Sequence, residues 1–366
     1  MAKLNKFGDT MYRQETRYRS ALRTFIISLF ALSLAYTIPL KTYGYFDLEA
    51  EVNNKDRAGK IWTFDQHHLN VINIFPLDQH FRLFVEMEWE HGISLENGGA
   101  GSGKIYLAQS WLEYKKTNAF RIQMGKILVP FGMRGLTYDA TPTYLSSFLP
   151  GSVYGKHLNS VNHQDRLFAK WLTGIQLAGI FQPGEWNVEY FCYITNGRGS
   201  KPSEADDNSN KGLGGRLLVR PSFGETSFGL SYYSDADGTS HNTLQSSYGA
   251  DATFSFSGFT FDIEGVYKRG QKINEVTETP IDSYLTGYGY YIQASRTFGD
   301  RWTPFVRFDR YDPDLDGHIK HDETVVVGIN LSATPRVYIK AELQSIHDDN
   351  HTNTYQSFVS SIAVAF

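Results

Sequence analysis

Residues Tyr355–Phe366 read YQSFVSSIAVAF. Phe358, Ile362, Val364 and Phe366 alternate with Ser357, Ser361, Ala363 and Ala365. This period of two puts bulky apolar groups on one face of a strand and small ones on the other. The stretch runs to an aromatic last residue with no tail, so the strand is expected to be tied into a structure rather than left to fray. One strand cannot bury its own face, and the rest of the chain has to supply partners.

The alternation recurs upstream. In Phe81–Glu90, FRLFVEMEWE, the residues Phe81, Leu83, Val85, Met87 and Trp89 face one way and Arg82, Glu86, Glu88 and Glu90 the other. Phe261, Ile263 and Tyr267 stand opposite Asp262, Glu264 and Lys268, and Ile339 and Leu343 opposite Lys340, Glu342 and Gln344. From Tyr43 onward no stretch keeps a helical period of 3.6. The template gives about sixteen strands, with eighteen as the alternative count. After the even-numbered strands the connections are short and turn-like (PLDQ, KKTN, QPG, PSFG, SG, FGD, ATP); after the odd-numbered ones they are long and rich in Gly, Ser, Asn and Asp. A soluble sandwich has no reason to sort its loops by parity. An antiparallel up-and-down transmembrane β-barrel does, with short turns on one side and long loops on the other. The closing strand with its terminal Phe resembles that of a bacterial outer-membrane barrel, which places the protein in the Gram-negative outer membrane with lipid around it.

Composition agrees. Of 366 residues 15% are aromatic, with 23 Tyr and 25 Phe, yet mean hydropathy is −0.36. A lipid face and a wet face that alternate along each strand average out in this way. The single Cys192 excludes an internal disulfide framework and a cysteine-based zinc site, and fits a small apolar residue on a strand face. Residues 1–42 differ in kind: six Lys and Arg from Lys3 to Arg23 precede an apolar run from Phe25 to Tyr36, too short for the ~20 residues of a spanning helix. This reads as a signal peptide, with Met11 as a second candidate start, followed by one barrel domain over 43–366. Its removal takes away seven basic and two acidic side chains, leaving 28 basic against 37 acidic and a net charge of about −9. So acidic an exported chain is a poor nucleic-acid binder.

Gln123–Gly135, QMGKILVPFGMRG, resembles the G-R-x-x-x-P-F-G stretch of the phosphate-selective porin O and P-like superfamily, with Gly125, Pro130, Phe131 and Gly132 matching and Lys126 in place of Arg. Leu172–Phe181 is similar to that family's DTG-[IV]-x-x-x-G strand, with Leu172 where Asp is common; Tyr193–Gly199 (YITNGRG) is similar to its N-G-x-G strand exit, and YGYFDLEAEV to its first strand. The resemblance implies a diffusion channel of sixteen to eighteen strands, often a homotrimer, passing small hydrophilic solutes or ions. It does not carry over phosphate selectivity, because no ladder of pore lysines and arginines can be matched.

Sixteen strands enclose a lumen wide enough for water. The expected wall includes Arg82, Glu86, Glu88, Arg121, Arg216, Arg307 and Lys340, a mixture suited to weak selectivity. The longest loop, Gly132–Ala169, follows the fifth strand and carries Arg134, Lys156 and Arg166 against Asp139 and Asp165. Folded inward it is a constriction biased toward anions; folded outward it is a solvated outer loop. Asp312–Glu323, DPDLDGHIKHDE, fits a calcium loop in which Asp312, Asp314, Asp316, the His318 carbonyl and Glu323 supply oxygens; the competing reading is an acidic solvated loop. Gly98–Lys104, GGAGSGK, imitates a phosphate loop, but Ile105 stands where Ser or Thr is required. His67 and His68, adjacent in one strand, are expected to point to opposite faces and share no metal, and His321 beside His318 borders the acidic loop. No G-x-S-x-G elbow occurs, so the expectation is a channel and not an enzyme. Two other classes stay open: a receptor or adhesin acting through long outer loops, and a surface hydrolase with adjacent Ser and His.

Overall fold

The computed structural model describes residues 39–54, 62–91, 103–154, 167–197, 206, 208–223, 225–236, 243–274, 279–312, 321–348 and 353–366. Seventeen strand segments follow in order: β1 (Lys41–Asn53), β2 (Thr63–Asp65), β3 (His68–Pro76), β4 (Phe81–Glu90), β5 (Lys104–Thr117), β6 (Phe120–Leu128), β7 (Trp171–Phe181), β8 (Asn187–Thr195), β9 (Gly212–Arg220), β10 (Ser227–Ala236), β11 (Leu244–Phe256), β12 (Phe259–Asn274), β13 (Thr279–Ser295), β14 (Trp302–Asp312), β15 (Asp322–Thr334), β16 (Val337–Asp348) and β17 (Asn353–Ala365). Both β2 and β3 pair with β1 and make a single crossing, so the barrel has sixteen. Every crossing is antiparallel to its chain neighbours, and β17 returns to β1 in the register Tyr45↔Ala365 to Asn53↔Ser357. Beyond that ladder Gly44 and Phe366 exchange two backbone hydrogen bonds of 2.9 Å. The sheet thus has no open edge, as a bilayer requires of strands. The expected barrel start at residue 43 falls two residues inside β1, and residues 1–38 lie outside the described residues.

The apolar face is outward. On β17, Ser357, Val359, Ser361 and Ala363 are buried, while Ile362 and, one residue past its end, Phe366 are exposed; on β4, Glu86 and Glu88 are buried while Met87 is exposed. For a soluble protein this would be inverted. Phe120, Phe181, Trp186, Phe256, Phe298 and Trp302 stand exposed around the end bearing the short turns, the aromatic girdle of a membrane interface. Cys192 is also exposed on the outer face. The turns use the expected chemistry. In the turn between β3 and β4 the backbone N–H groups of His80 (2.7 Å) and Phe81 (2.8 Å) donate to Asp78 Oδ1, and these bonds hold the Asp78 carboxyl below its ordinary range. Ser257 and Gly258, both at positive φ, close the two-residue hairpin from β11 to β12.

Candidate functional site

The buried core lies inside the barrel, against the loop that leaves β6. Pro130 lacks an N–H and cannot extend the ladder; Val129 makes the last wall contact, its N–H donating to the Lys170 carbonyl at 2.9 Å. Gly132 then turns the chain inward at φ +70°, where a Cβ would fall on Glu264 Oε1 and 2.5 Å from the Tyr154 hydroxyl. Only glycine fits there. Phe131, fully buried, stacks on Phe168 from the loop's far end with ring centroids 4.3 Å apart. Gly249 on β11 leaves room for that ring, since a Cβ would come within 2.7 Å of it. The P-F-G motif is therefore the hinge and clamp of an infolded loop.

From the clamp the loop crosses the inner wall, fastened to strand after strand. Gly132 N–H donates to Ser231 Oγ (3.0 Å), and Met133 N–H and the Tyr154 hydroxyl donate to Glu264 (3.0 and 2.6 Å). Burial, and then the Glu264 carboxylate, push the Tyr154 hydroxyl well above the tyrosine range, so it stays a donor. Arg307 reaches Ser146 Oγ (2.7 Å) and the Phe148 carbonyl (3.2 Å), Asn330 the Leu145 carbonyl (3.0 Å), and Lys340 the carbonyls of Thr141 (2.6 Å) and Ser146 (2.8 Å). Ser147 N–H donates to Glu342 Oε2 at 3.0 Å, and Ser147 Oγ meets Ser361 Oγ at 2.9 Å. One helical turn, Gly151–Tyr154, packs on β13 and β14, where Ser152 Oγ donates to the Tyr290 carbonyl. The described part of the loop lies in the lumen, not outside it.

The wall residues expected from sequence divide into two groups. Arg216, Arg307 and Lys340 are 6%, 3% and 1% exposed: Arg216 grips Asp251 with two nitrogens (2.6 and 2.9 Å), while the other two hold the loop. Glu86 is likewise buried and accepts from Tyr45, Asn70 and Gln109. Arg82 and Arg121, and Arg134 of the expected constriction loop, keep open surface, with side chains 38%, 18% and 23% exposed. Arg82 pairs with Glu113 at 2.7 Å, and Arg134 lies 3.8 Å from Asp262. Arg121 and Arg220 share one carboxylate, Glu189, at 4.0 and 3.3 Å. Lys156 and Arg166 of the constriction, and Asp314, Asp316 and His318 of the calcium loop, lie outside the described residues. Asp312 ends β14, and Glu323 on β15 accepts from Arg310 at 2.8 Å.

Against the expectation that adjacent histidines part, the rings of His67 and His68 lie 3.9 Å apart, and His91 stacks on His67 at 5.0 Å. The cause is a register shift. Glu49 pairs with Asp65 but Phe46 pairs with Leu69, so one extra residue sits on the β2–β3 side, a bulge that breaks the alternation. Asp47 captures the His68 backbone N–H at 2.6 Å within it.

A closed barrel of this size, greasy outside and polar inside with a loop folded through it, has the architecture of a diffusion channel. A family model described as Gram-negative porin matches residues 25–357. The chain belongs to that family. The porin is also similar in fold to an anion-selective porin from Comamonas acidovorans (TM-score 0.59, 14% identity, 89% of this chain and 99% of that one). It resembles Salmonella typhi OmpF in complex with daunomycin (TM-score 0.60, 12% identity, 89% and 97%) and the trimer form of Vibrio cholerae OmpT (TM-score 0.56, 12% identity, 89% and 99%). No curated protein matches the sequence. The porin is an outer-membrane protein and a passive diffusion channel; the described part of its long loop lies inside the lumen, which does not favour a receptor that works through outward loops.

Proposed function

We propose that this porin is a non-enzymatic, weakly selective channel for small hydrophilic solutes, with a slight preference for anions set by the arginines that the infolded loop leaves uncovered. One observation carries the reading: Arg121 and Arg220 share the single carboxylate of Glu189 near the short-turn mouth, leaving one positive charge in excess where solute passes. A ring charge acts on a permeant ion through the local field, so one excess charge biases a wide pore without making it strict. Arg82 and Arg134 contribute less, each having a carboxylate of its own.

The test is the reversal potential in a salt gradient across planar bilayers. Arg121→Ala with Arg220→Ala should move the preference toward cations, and Arg134→Ala should move it in the same direction by less. An unchanged reversal potential in the double variant removes the arginine pair from selectivity. Homotrimer assembly is part of the proposal, supported by the exposed apolar outer face and by the trimer form of the Vibrio protein, and is read from crosslinking in detergent. Within the family the P-F-G hinge supports kinship with the phosphate-selective porin O and P-like group, although the buried Arg307 and Lys340 supply no lysine ladder. Calcium at the 312–323 loop is a separate proposal. Because Glu323 already holds Arg310, the ion would have to displace that guanidinium; loop proteolysis unchanged up to millimolar calcium would end the idea.

A further inference from the structure

We propose that the inner wall holds a divalent transition-metal cation of the zinc class between His68 Nε2, Glu88 and Asp139. The three groups come from β3, β4 and the infolded loop, and their ligand atoms lie within 4.8 Å of one another. His68 Nε2 is 3.6 Å from Glu88 Oε1 and 3.9 Å from Asp139 Oδ1. Tetrahedral zinc with bonds of about 2.0 Å has ligand edges of about 3.3 Å, so the two edges from His68 need to shorten by only a few tenths of an ångström, and the third lies within 4.8 Å.

Three features of the cluster point to a cation. His68 Nδ1 faces Asp47 Oδ2 at 3.2 Å, the carboxylate–histidine arrangement that fixes a ligand imidazole with its other nitrogen free to bind metal. Glu88 is 2% exposed and its Oε2 has no hydrogen-bond partner, a cost that a bound ion would remove. Charge is also out of balance. Asp47, Glu88 and Asp139 are three buried carboxylates gathered around one imidazole, and Lys170 Nζ lies 2.6 Å from Asp139 Oδ1. The carboxylates outnumber the lysine that touches them, and buried charge demands compensation. Lys170 does not close the site: a carboxylate oxygen accepts from more than one partner, and the ammonium is also held over the rings of Tyr138 and Trp171 at 4.1 and 3.9 Å. Since Asp139 belongs to the loop and the other two ligands to the wall, the ion would staple one to the other.

The site is tested by zinc titration of the folded full-length porin in detergent, read by competition with a chromophoric chelator, with magnesium as the hard-cation control. One zinc per chain is expected, bound at least a hundredfold more tightly than magnesium. His68→Gln should abolish binding, Glu88→Gln should weaken it at least tenfold, and Asp47→Asn should weaken it about 10- to 100-fold through the second nitrogen. His91→Gln should leave it unchanged. Heat-modifiable migration shows that each variant is folded; if His68→Gln fails to fold, Glu88→Gln and X-ray absorption on the wild-type protein decide. Absence of zinc uptake by the wild type, binding that survives both His68→Gln and Glu88→Gln, or a spectrum with two or more imidazole ligands would each overturn the assignment.

Discussion

Replacing Lys340 by Met should loosen the infolded loop without opening the barrel. Lys340 Nζ donates to the carbonyls of Thr141 at 2.6 Å and Ser146 at 2.8 Å and lies 4.7 Å from the Tyr144 ring centroid, while the residue is 1% exposed. A hydrogen bond to a charged group is worth about 1.5–3 kcal/mol net, so the two together hold the segment by about 3–6 kcal/mol. Met keeps the apolar stem and orphans both carbonyls. With about 1.4 kcal/mol to each factor of ten, docking of Thr141–Phe148 should weaken by about 10² to 10⁴. Arg307 and Asn330 still grip Ser146, Phe148 and Leu145, so the single variant should show faster hydrogen exchange across 141–148 and noisier single-channel current. Arg307→Met added to it should release the segment and raise mean conductance, and because both side chains hold Ser146 the two effects should not add. The strand ladders of β14 and β16 do not depend on either side chain, so heat-modifiable migration should persist. Unchanged exchange over 141–148 in the double variant would refute the anchoring role.

Gly132→Ala meets both a left-handed backbone, costing about 1–2 kcal/mol, and the Glu264 carboxylate; it should misdock the loop and speed tryptic cleavage at Arg134 relative to the wild type. Phe131→Ala removes the ring clamped on Phe168, a loss of about 3–5 kcal/mol for a buried phenylalanine, and should lower the temperature at which the folded band converts on gels. Deleting Ser357–Phe366 takes away the partner of β1 over Tyr45–Asn53 and should abolish assembly while export continues; normal heat-modifiable barrel from that truncation would contradict the fold.

Phe81–Glu90 and Tyr355–Phe366 declared their faces because a strand between lipid and water must alternate, and the parity of the turns declared the closed meander. Which lumen charges reach solute was not legible. Arg121 and Lys340 both stand on the wet face of a strand, and only the path of the loop leaves one open and buries the other. Nor could periodicity place His67 and His68. Alternation holds only while the ladder is regular, and Asp47 takes the His68 N–H at 2.6 Å where the register slips. The P-F-G stretch was visible as a resemblance, but its reason lies in contacts more than a hundred residues away, from Gly132 to Glu264 and from Phe131 to Gly249.

The mixed charge of the wall follows from the loop it carries. Between Phe131 and Ala169 the backbone has only two short 3-10 turns and one helical turn among the described residues, so many of its N–H and C=O groups find no partner along the loop itself. The barrel backbone cannot supply them, because its own groups are spent in the ladders, and a buried backbone group left unpaired costs free energy comparable to a lost hydrogen bond. Side chains of the wall do it instead, and both donors and acceptors are needed. Glu264 and Glu342 accept from the N–H groups of Met133 and Ser147, while Lys340, Arg307 and Asn330 donate to carbonyls from Thr141 to Phe148. On the proposed reading, selectivity then falls to the charges that the loop does not consume, the arginine pair around Glu189 rather than the more numerous buried ones.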